Sequence, residues 1–154
     1  MAADNYQIDN TDMQILRCLM KDATTPYTDI AKQLNVSGGT VHVRMKKLMD
    51  AGIVKGATLN IDYTKLGYDI TAFIGIYLEK SSFYDRAAKD LAKIPEVINV
   101  HYTTGNYSMF AKIICKDTNH LRQVLHDKIQ KVSGIERTET LISLEETINR
   151  NIKL

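Results

Sequence analysis

Seven residues between positions 39 and 47 carry the side chains best suited to chemistry in this sequence. They are small, hydrogen-bonding or positively charged, with one β-branched apolar side chain: Gly39, Thr40, His42, Val43, Arg44, Lys46 and Lys47. At 3.6 residues per turn they lie on the outward side of a helix whose inward side carries Val41, Met45 and Leu48. Cationic groups bond phosphates or guanine edges, and a β-branched side chain can contact a thymine methyl group. The spacing therefore predicts a helix that enters the major groove of double-stranded DNA.

The cations of this helix have alternative roles. Arg44 or Lys47 reads guanine if it is aimed at a base and holds a phosphate if it is aimed at the backbone; the sequence leaves both open. We interpret His42 as a polar surface contact, because no second ligand lies at a zinc-like spacing. A small helical bundle with a solvated basic face would show the same pattern. The clustering of Lys55 with these cations, opposed only by Asp50, favours DNA.

Two shorter helices are predicted to position the basic helix. The first begins at an Asp9 or Asn10 cap and the second at a Thr28 cap after Pro26, which closes the preceding segment. Their inward faces are apolar at helical spacing: Ile15, Leu16, Leu19, Met20, Ile30, Ala31 and Leu34. A turn at 35–39 leads to a Ser37 cap for the third helix, and Gly52 ends that helix. Extended stretches at 53–54 and 57–61 are expected to form a small wing.

The pattern changes after the linker at 57–69. Strands are expected at 70–79, 97–103, 107–115 and 135–144, and helices follow the first and third strands. Serines at 81–82 can cap one helix, and Asp117 or Thr118 the other. The order β-α-β-β-α-β is the ferredoxin-like arrangement. The fold class is therefore α+β, with a winged helix-turn-helix domain at 1–56 and a ferredoxin-like domain at 70–154. One sheet face stays uncovered and carries apolar residues at 73–77, which predicts burial between subunits.

The bulk composition is that of an ordinary globular protein, with 44% hydrophobic and 25% charged residues and a net charge of +2. No apolar run is long enough to span a bilayer, and residues 1–10 lack a secretion signal, so we expect no membrane partner and a cytoplasmic location. Cys18 and Cys115 are interpreted as small core residues. No nucleophile elbow, phosphate-binding glycine loop or HExxH motif occurs, so neither catalysis nor a cofactor or metal is expected.

The combination of these domains resembles the Lrp/AsnC ("feast/famine") family of transcription regulators over nearly the whole chain. Several segments are similar to its asparagine-responsive branch: IDNTDMQIL, GTVHVR, LGYDITAFIGI, YTTGNYSMF, LHDKIQ, TETLISL and the terminal NRNIKL. The resemblance implies a homodimer that pairs through the four-stranded domains and assembles further, often to an octamer. It also implies a small amino acid, most simply asparagine, bound where neighbouring dimers meet.

The turn around Gly105 matches the family's ligand loop, so the resemblance extends the candidate site to its flanks and to the last strand. The effector-binding candidates are Thr103, Thr104, Gly105, Asn106, Tyr107, Ser108, Glu139 and Thr140. Backbone N–H groups and hydroxyls of the turn could hold a carboxylate, and Glu139 could accept an ammonium. A plain polar β-turn is the alternative interpretation of the loop. For the whole chain, the alternative is an amino-acid-sensing assembly module whose helical unit binds protein instead of DNA.

Overall fold

The computed structural model describes residues 6–154, which form two compact units. The first unit comprises residues up to 60 together with the chain end at 148–154, and the second comprises residues 61–147. The sequence had assigned that chain end to the second domain. In the structure the chain end contacts the first helical unit, where Arg17 Nε donates a hydrogen bond of 2.9 Å to the backbone oxygen of Leu154.

Three helices build the first unit: α1 at Asn10–Lys21, α2 at Tyr27–Leu34 and α3 at Gly38–Asp50. Their buried residues are Ile15, Leu16, Ile30, Ala31, Val41, Met45 and Leu48. The 3.6-residue period placed these residues correctly, because a helix that must bury one stripe leaves that stripe apolar in the sequence. The same packing turns the opposite side of α3 outward.

The starts of these helices show which capping predictions were correct. Asp9 caps α1 in a capping box, in which its carboxylate accepts from the Asp12 N–H while the Asp12 carboxylate accepts from the Asp9 N–H. Ser37 caps α3 as expected, accepting from the Thr40 N–H at 3.0 Å. The Thr28 cap was wrong: α2 already begins at Tyr27, with Pro26 at its N-cap position. Proline needs no N–H partner there and its fixed φ suits a helix start.

The segment after α3 differs from the expected wing. Gly52 ends the helix in a left-handed conformation with φ of 71°, as predicted. Residues 53–54 and 57–61 were expected to form a small wing, but these residues form no strand in the structure. Val54 instead packs on the helical core.

The second unit is a four-stranded antiparallel sheet with helices on one face. Its strands are β1 (Ile70–Leu78), β2 (Val97–Tyr102), β3 (Met109–Cys115) and β4 (Ile135–Ile142), in the spatial order β2-β3-β1-β4. This order has the first and third strands central, as the ferredoxin-like prediction requires.

Two helical segments cover the inner face of this sheet. Helix α4 spans Tyr84–Leu91, and α5 spans Thr118–Gln123 with an Asp117 cap before continuing as a π-helical turn at Val124–Lys128. Ala72, Ile74 and Ile76 of β1 are fully buried beneath them. The intervening residues of β1 therefore point to the other face, which no element of the described chain covers.

The two cysteines have different degrees of burial. Cys115 is fully buried, and burial raises the pKa of its thiol to about 11, which keeps it protonated and unreactive. Cys18 is half-buried beside the helical core, where its thiol lies 3.5 Å from the side-chain oxygen of Gln33. Both are free thiols, in keeping with their predicted role as small packing residues.

Candidate functional site

The outward side of α3 is exposed to solvent. Val43 is 57% exposed, and Lys46 and Lys47 lie exposed beside it. Gly39 and His42 are also exposed, and the half-buried Thr40 hydroxyl lies 2.8 Å from the hydroxyl of the cap Ser37. Six of the seven residues predicted for this face are therefore available on one side of a rigid helix.

Arg44 is the exception among the seven. Its Nη1 donates to the carboxylate of Asp9 at 2.6 Å and to that of Asp12 at 2.9 Å, both on α1 or at its cap. The hydrogen bond to Asp9 is the main cause that raises the pKa of the guanidinium, which is charged at any accessible pH. The guanidinium of Arg44 thus lies against α1, whereas the sequence analysis predicted that it contacts a guanine or a phosphate.

A shallow recess of about 560 Å³ borders this group of charges. Its wall includes Tyr6, Asp9, Gly39, Thr40, Val43, Arg44 and Lys47. Because Asp9 and Asp12 bring two negative charges against the single charge of Arg44, the cluster carries a net negative charge. The positive potential of this side of the helix therefore comes from Lys46 and Lys47.

The turn at 103–108 divides into a closed base and an open tip. At the base, Thr103 donates its hydroxyl to the Tyr107 carbonyl at 2.8 Å, and Ser108 donates its N–H to the Ile76 carbonyl at 2.9 Å. The Ser108 hydroxyl accepts from the Leu78 N–H. Within the described residues, the N–H groups of Thr104, Gly105 and Asn106 have no such partner, and all three residues are exposed. Gly105 adopts φ of 106°, which only glycine tolerates readily.

Glu139 lies on the uncovered sheet face among three donors. Tyr107 donates its hydroxyl at 2.8 Å, Tyr77 donates at 3.0 Å, and Arg137 Nη1 donates at 3.1 Å. The Tyr107 hydrogen bond is the largest cause that lowers the pKa of the Glu139 carboxyl, followed by the Tyr77 hydrogen bond. Thr140, the other predicted residue of this strand, is exposed and pairs with Ile74 of β1.

A close approach connects this carboxylate to the turn. The Tyr107 ring lies directly over Gly75, where an added Cβ would meet ring carbons at 2.4–2.7 Å. Glycine is therefore needed at position 75 for Tyr107 to reach Glu139. The described structure thus couples the predicted turn and the predicted carboxylate through a single tyrosine.

Sequence reasoning missed the partners that complete both clusters. Tyr6 donates to Asp12 at 2.9 Å, and the guanidinium carbon of Arg137 lies 3.6 Å from the centre of the Tyr77 ring. One signal was available, since acidic residues at Asp9 and Asp12 have the spacing of a capping box. The contacts of Arg44 with α1 and of Tyr77 with Glu139 join residues more than thirty positions apart, and no local pattern marks them.

Two absences bear on the class of protein. No group of histidine, cysteine and carboxylate side chains suited to a metal ion occurs among residues 6–154. Over the same residues, no helix has the length and apolar character that crossing a membrane requires. Neither observation assigns a function by itself.

The helical unit and the four-stranded unit together define a class: a DNA-binding transcription regulator with a separate ligand-binding domain. Residues 8–55 match the family model described as winged helix-turn-helix DNA-binding, and residues 71–152 match the Lrp/AsnC ligand binding domain. The chain belongs to the Lrp/AsnC family of regulators. It is accordingly a regulator and not an enzyme, and the DNA-binding role of its helical unit replaces the alternative of a protein-binding one.

Known proteins support this assignment over almost the full chain. The chain is 46% identical to the regulatory protein AsnC of Escherichia coli K12 over 150 residues, which covers 97% of this chain and 99% of that one. It is 47% identical to the AsnC protein of Haemophilus influenzae over 148 residues, with 96% and 99% covered. The solved structure of E. coli AsnC matches at a TM-score of 0.89 and 45% identity, covering 96% and 99%.

We predict that Tyr107→Phe raises the pKa of the Glu139 carboxyl towards its ordinary value. The lowered pKa means that the stabilisation is present above the pKa of Glu in the unfolded chain and is lost as pH falls through the folded-state pKa. The variant should therefore be less stable than the wild type at pH 7 and equally stable in acid. A carbon-13 NMR titration of Glu139, with urea unfolding at both pH values, measures this.

The control is Tyr102→Phe, because the Tyr102 hydroxyl makes no hydrogen bond within the described part of the chain. It should leave the titration of Glu139 unchanged. An unaltered Glu139 pKa in Tyr107→Phe would show that the tyrosine hydroxyl does not control this carboxylate.

Proposed function

We propose that this regulator contacts operator DNA through the exposed side of α3. The proposed contact residues are Gly39, Thr40, His42, Val43, Lys46 and Lys47. The observation that carries the proposal is the exposure of Val43 between the cations Lys46 and Lys47, since an apolar side chain among cations fits a thymine methyl beside phosphates. Arg44 was also predicted here, but its guanidinium is bonded to two carboxylates, so we leave it out of this surface.

A dimer would present two copies of α3 to the same side of the duplex. Successive major grooves on one face of DNA are about 34 Å apart, so a two-fold symmetric protein requires a pseudo-palindromic operator. DNA is a partner available in the cytoplasm, and we place the regulator there. Phosphate contacts would supply most of the affinity, while Val43 and Thr40 would contribute sequence preference.

The uncovered face of the sheet is the surface that we propose for self-association. Phe73 and Phe110 stack there with ring centres 5.8 Å apart, and Leu141 is 48% exposed across from Phe73. Apolar side chains on an open sheet face favour burial against an identical face. We infer a homodimer through this face, which assembles further to a higher oligomer, an octamer in the simplest case for this family.

The open tip of the turn at 103–108 is the place that we propose for a small amino-acid effector, with asparagine the first candidate. The exposed N–H groups of Thr104, Gly105 and Asn106 can converge on a carboxylate, because Gly105 permits the positive φ that such a concave backbone needs. Glu139 can accept an ammonium at the one lone-pair site that its three donors leave available, since a carboxylate has about four such sites. Thr140 directly follows Glu139 on the edge strand β4.

The effector would control DNA binding by favouring one arrangement of dimers over another. A ligand shifts an equilibrium only by the difference in its affinity for the two states. A site at the tip of a turn beside a self-association face can supply that difference, because a neighbouring subunit can complete it. We therefore propose that the amino acid acts on assembly and, through assembly, on the spacing of the α3 helices.

Replacing Lys47 tests the DNA-contacting surface. Lys47→Ala should reduce the slope of log affinity against log salt concentration by about one, because one phosphate contact and its released counterion are lost. Fluorescence anisotropy with a duplex selected from a random library, at several salt concentrations, measures the slope. Lys21→Ala, at the exposed end of α1, is the control and should leave the slope unchanged. An unchanged slope for Lys47→Ala would remove Lys47 from the interface.

Replacing Leu141 tests the self-association face. Leu141→Asp should raise the dimer dissociation constant about a hundredfold, because a carboxylate would have to be buried without a partner. Sedimentation velocity over a concentration series measures the constant. Lys89→Asp adds the same carboxylate to the exposed side of α4 and should leave the oligomer intact. A Leu141→Asp protein that sediments like the wild type would place the interface elsewhere.

A thermal-shift panel of the twenty amino acids tests the effector. At a ligand concentration of 100 times Kd the binding free energy adds about 2.7 kcal/mol of stability, which corresponds to a rise in Tm of roughly 5–10 °C for a chain of this size. We expect asparagine to give the largest rise and Asn106→Asp to reduce it, since the new charge repels the ligand carboxylate.

The matched control for the effector is Asn99→Asp, which adds the same charge on β2, away from the turn. It should preserve the asparagine-induced rise in Tm. A panel in which no amino acid raises Tm at millimolar concentration would contradict an amino-acid effector. An undiminished rise in Asn106→Asp would place the ligand away from the turn.

A further inference from the structure

A buried carboxylate links the first helix to the helix proposed to contact DNA. Asp12 of α1 is the one charged residue of positions 6–154 that is buried, with no exposed surface. Its Oδ1 accepts from Arg44 Nη1 at 2.9 Å, and its Oδ2 accepts from the Tyr6 hydroxyl at 2.9 Å and the Asp9 N–H at 3.1 Å. Both oxygens are therefore satisfied, and Arg44 supplies the only positive charge among these partners.

This arrangement limits where the Arg44 guanidinium can go. A buried carboxylate is tolerated only when it is paired and hydrogen-bonded, so withdrawing Arg44 would leave Asp12 charged and uncompensated. Nη1 also bonds the Asp9 carboxylate at 2.6 Å, and only 27% of the Arg44 side chain is exposed. Any contact with DNA that drew the guanidinium outward would break both ion pairs.

The net charge of the cluster also argues against a contact between Arg44 and DNA. Two carboxylates face one guanidinium, and Asp9 remains 51% exposed on the recess beside α3. A phosphate approaching Arg44 would meet a net negative cluster and would be repelled. Arg44 therefore contributes little to attracting DNA, in contrast to Lys47, which borders the same recess and has no ion pair in the described chain.

We propose that Arg44 is a positioning residue, which fixes the rotation of α3 on α1 through Asp9 and Asp12 and contacts neither base nor phosphate. This inference rests on the proposed DNA-contacting surface of α3. Arg44 directly follows the exposed Val43 and lies one turn after Thr40, so holding its guanidinium on α1 sets the direction of both side chains. A short helical unit with a small core needs such a specific ion pair to define one orientation of α3 on α1.

A double-mutant cycle of Arg44→Gln and Asp12→Asn tests the inference. Affinity for the library-selected duplex is measured at several salt concentrations, at a temperature where circular dichroism shows every variant folded. Arg44→Gln should weaken DNA binding about tenfold, a loss within the range of coupling between two protein residues in direct contact. It should leave the salt slope unchanged. In the Asp12→Asn background the same change should weaken binding less than about threefold, because the buried charge that Arg44 neutralises is already gone.

Lys47→Gln is the matched control, because it removes a cation from the same helix. It should lower the salt slope by about one in both backgrounds. A slope reduction of about one for Arg44→Gln, with equal losses of affinity in both backgrounds, would make Arg44 a DNA contact and overturn the inference. A folded Arg44→Gln protein with wild-type affinity would also overturn it, because Arg44 would then only stabilise the fold.

A second variant keeps the test decisive if Arg44→Gln does not fold alone. The double variant Asp12→Asn/Arg44→Gln carries neutral side chains that can keep the hydrogen bond. The wild-type salt slope in this double variant supports the inference, and a slope lower by about one overturns it. If the wild-type protein selected no duplex from the random library, the proposed function would be contradicted instead. The two failures are therefore distinguishable.

Discussion

The buried charge of Asp12 is the constraint on which the DNA-binding half of this protein depends. A carboxylate without exposed surface must be neutralised, and the guanidinium that does so belongs to α3, 32 residues further along the chain. The ion pair thus converts an electrostatic requirement into a geometric one. The rotation in which helix α3 buries its apolar stripe is the one that also brings Arg44 to α1. The exposed side chains then acquire a defined direction.

The ligand-binding half is also organised around a carboxylate, which lies on the uncovered face of its sheet. Glu139 gathers Tyr77, Tyr107 and Arg137, and Gly75 leaves the space in which the Tyr107 ring lies. Because Tyr107 also closes the base of the turn through its carbonyl, the carboxylate and the turn are held by the same residue. A change at the open tip therefore has a direct route to the uncovered sheet face, which is the proposed self-association surface.

The sequence predicted what depends on local spacing and missed what depends on distant contacts. The helical period placed Ile15, Val41 and Leu48 in the core. The β-branched and aromatic runs, with the β-α-β-β-α-β order of the elements, gave the four strands and their ferredoxin-like arrangement. Arg44 was assigned to DNA because a helical pattern gives its face but not its reach towards a carboxylate on another helix. The partners of Ser108 could not be assigned either, since Ile76 and Leu78 come from a strand about thirty residues earlier.

An NMR titration of the arginine side chains with a selected duplex tests the role of the Asp12–Arg44 pair most directly. With nitrogen-15 labelling, the Arg44 guanidinium protons should exchange slowly with water in the free protein, because Nη1 is bonded to two carboxylates. On addition of DNA they should keep that protection and shift little, while signals of Val43 and Lys47 shift. Loss of protection at Arg44, with the largest shift of any arginine, would show that the guanidinium leaves Asp12 for the DNA and would contradict the account.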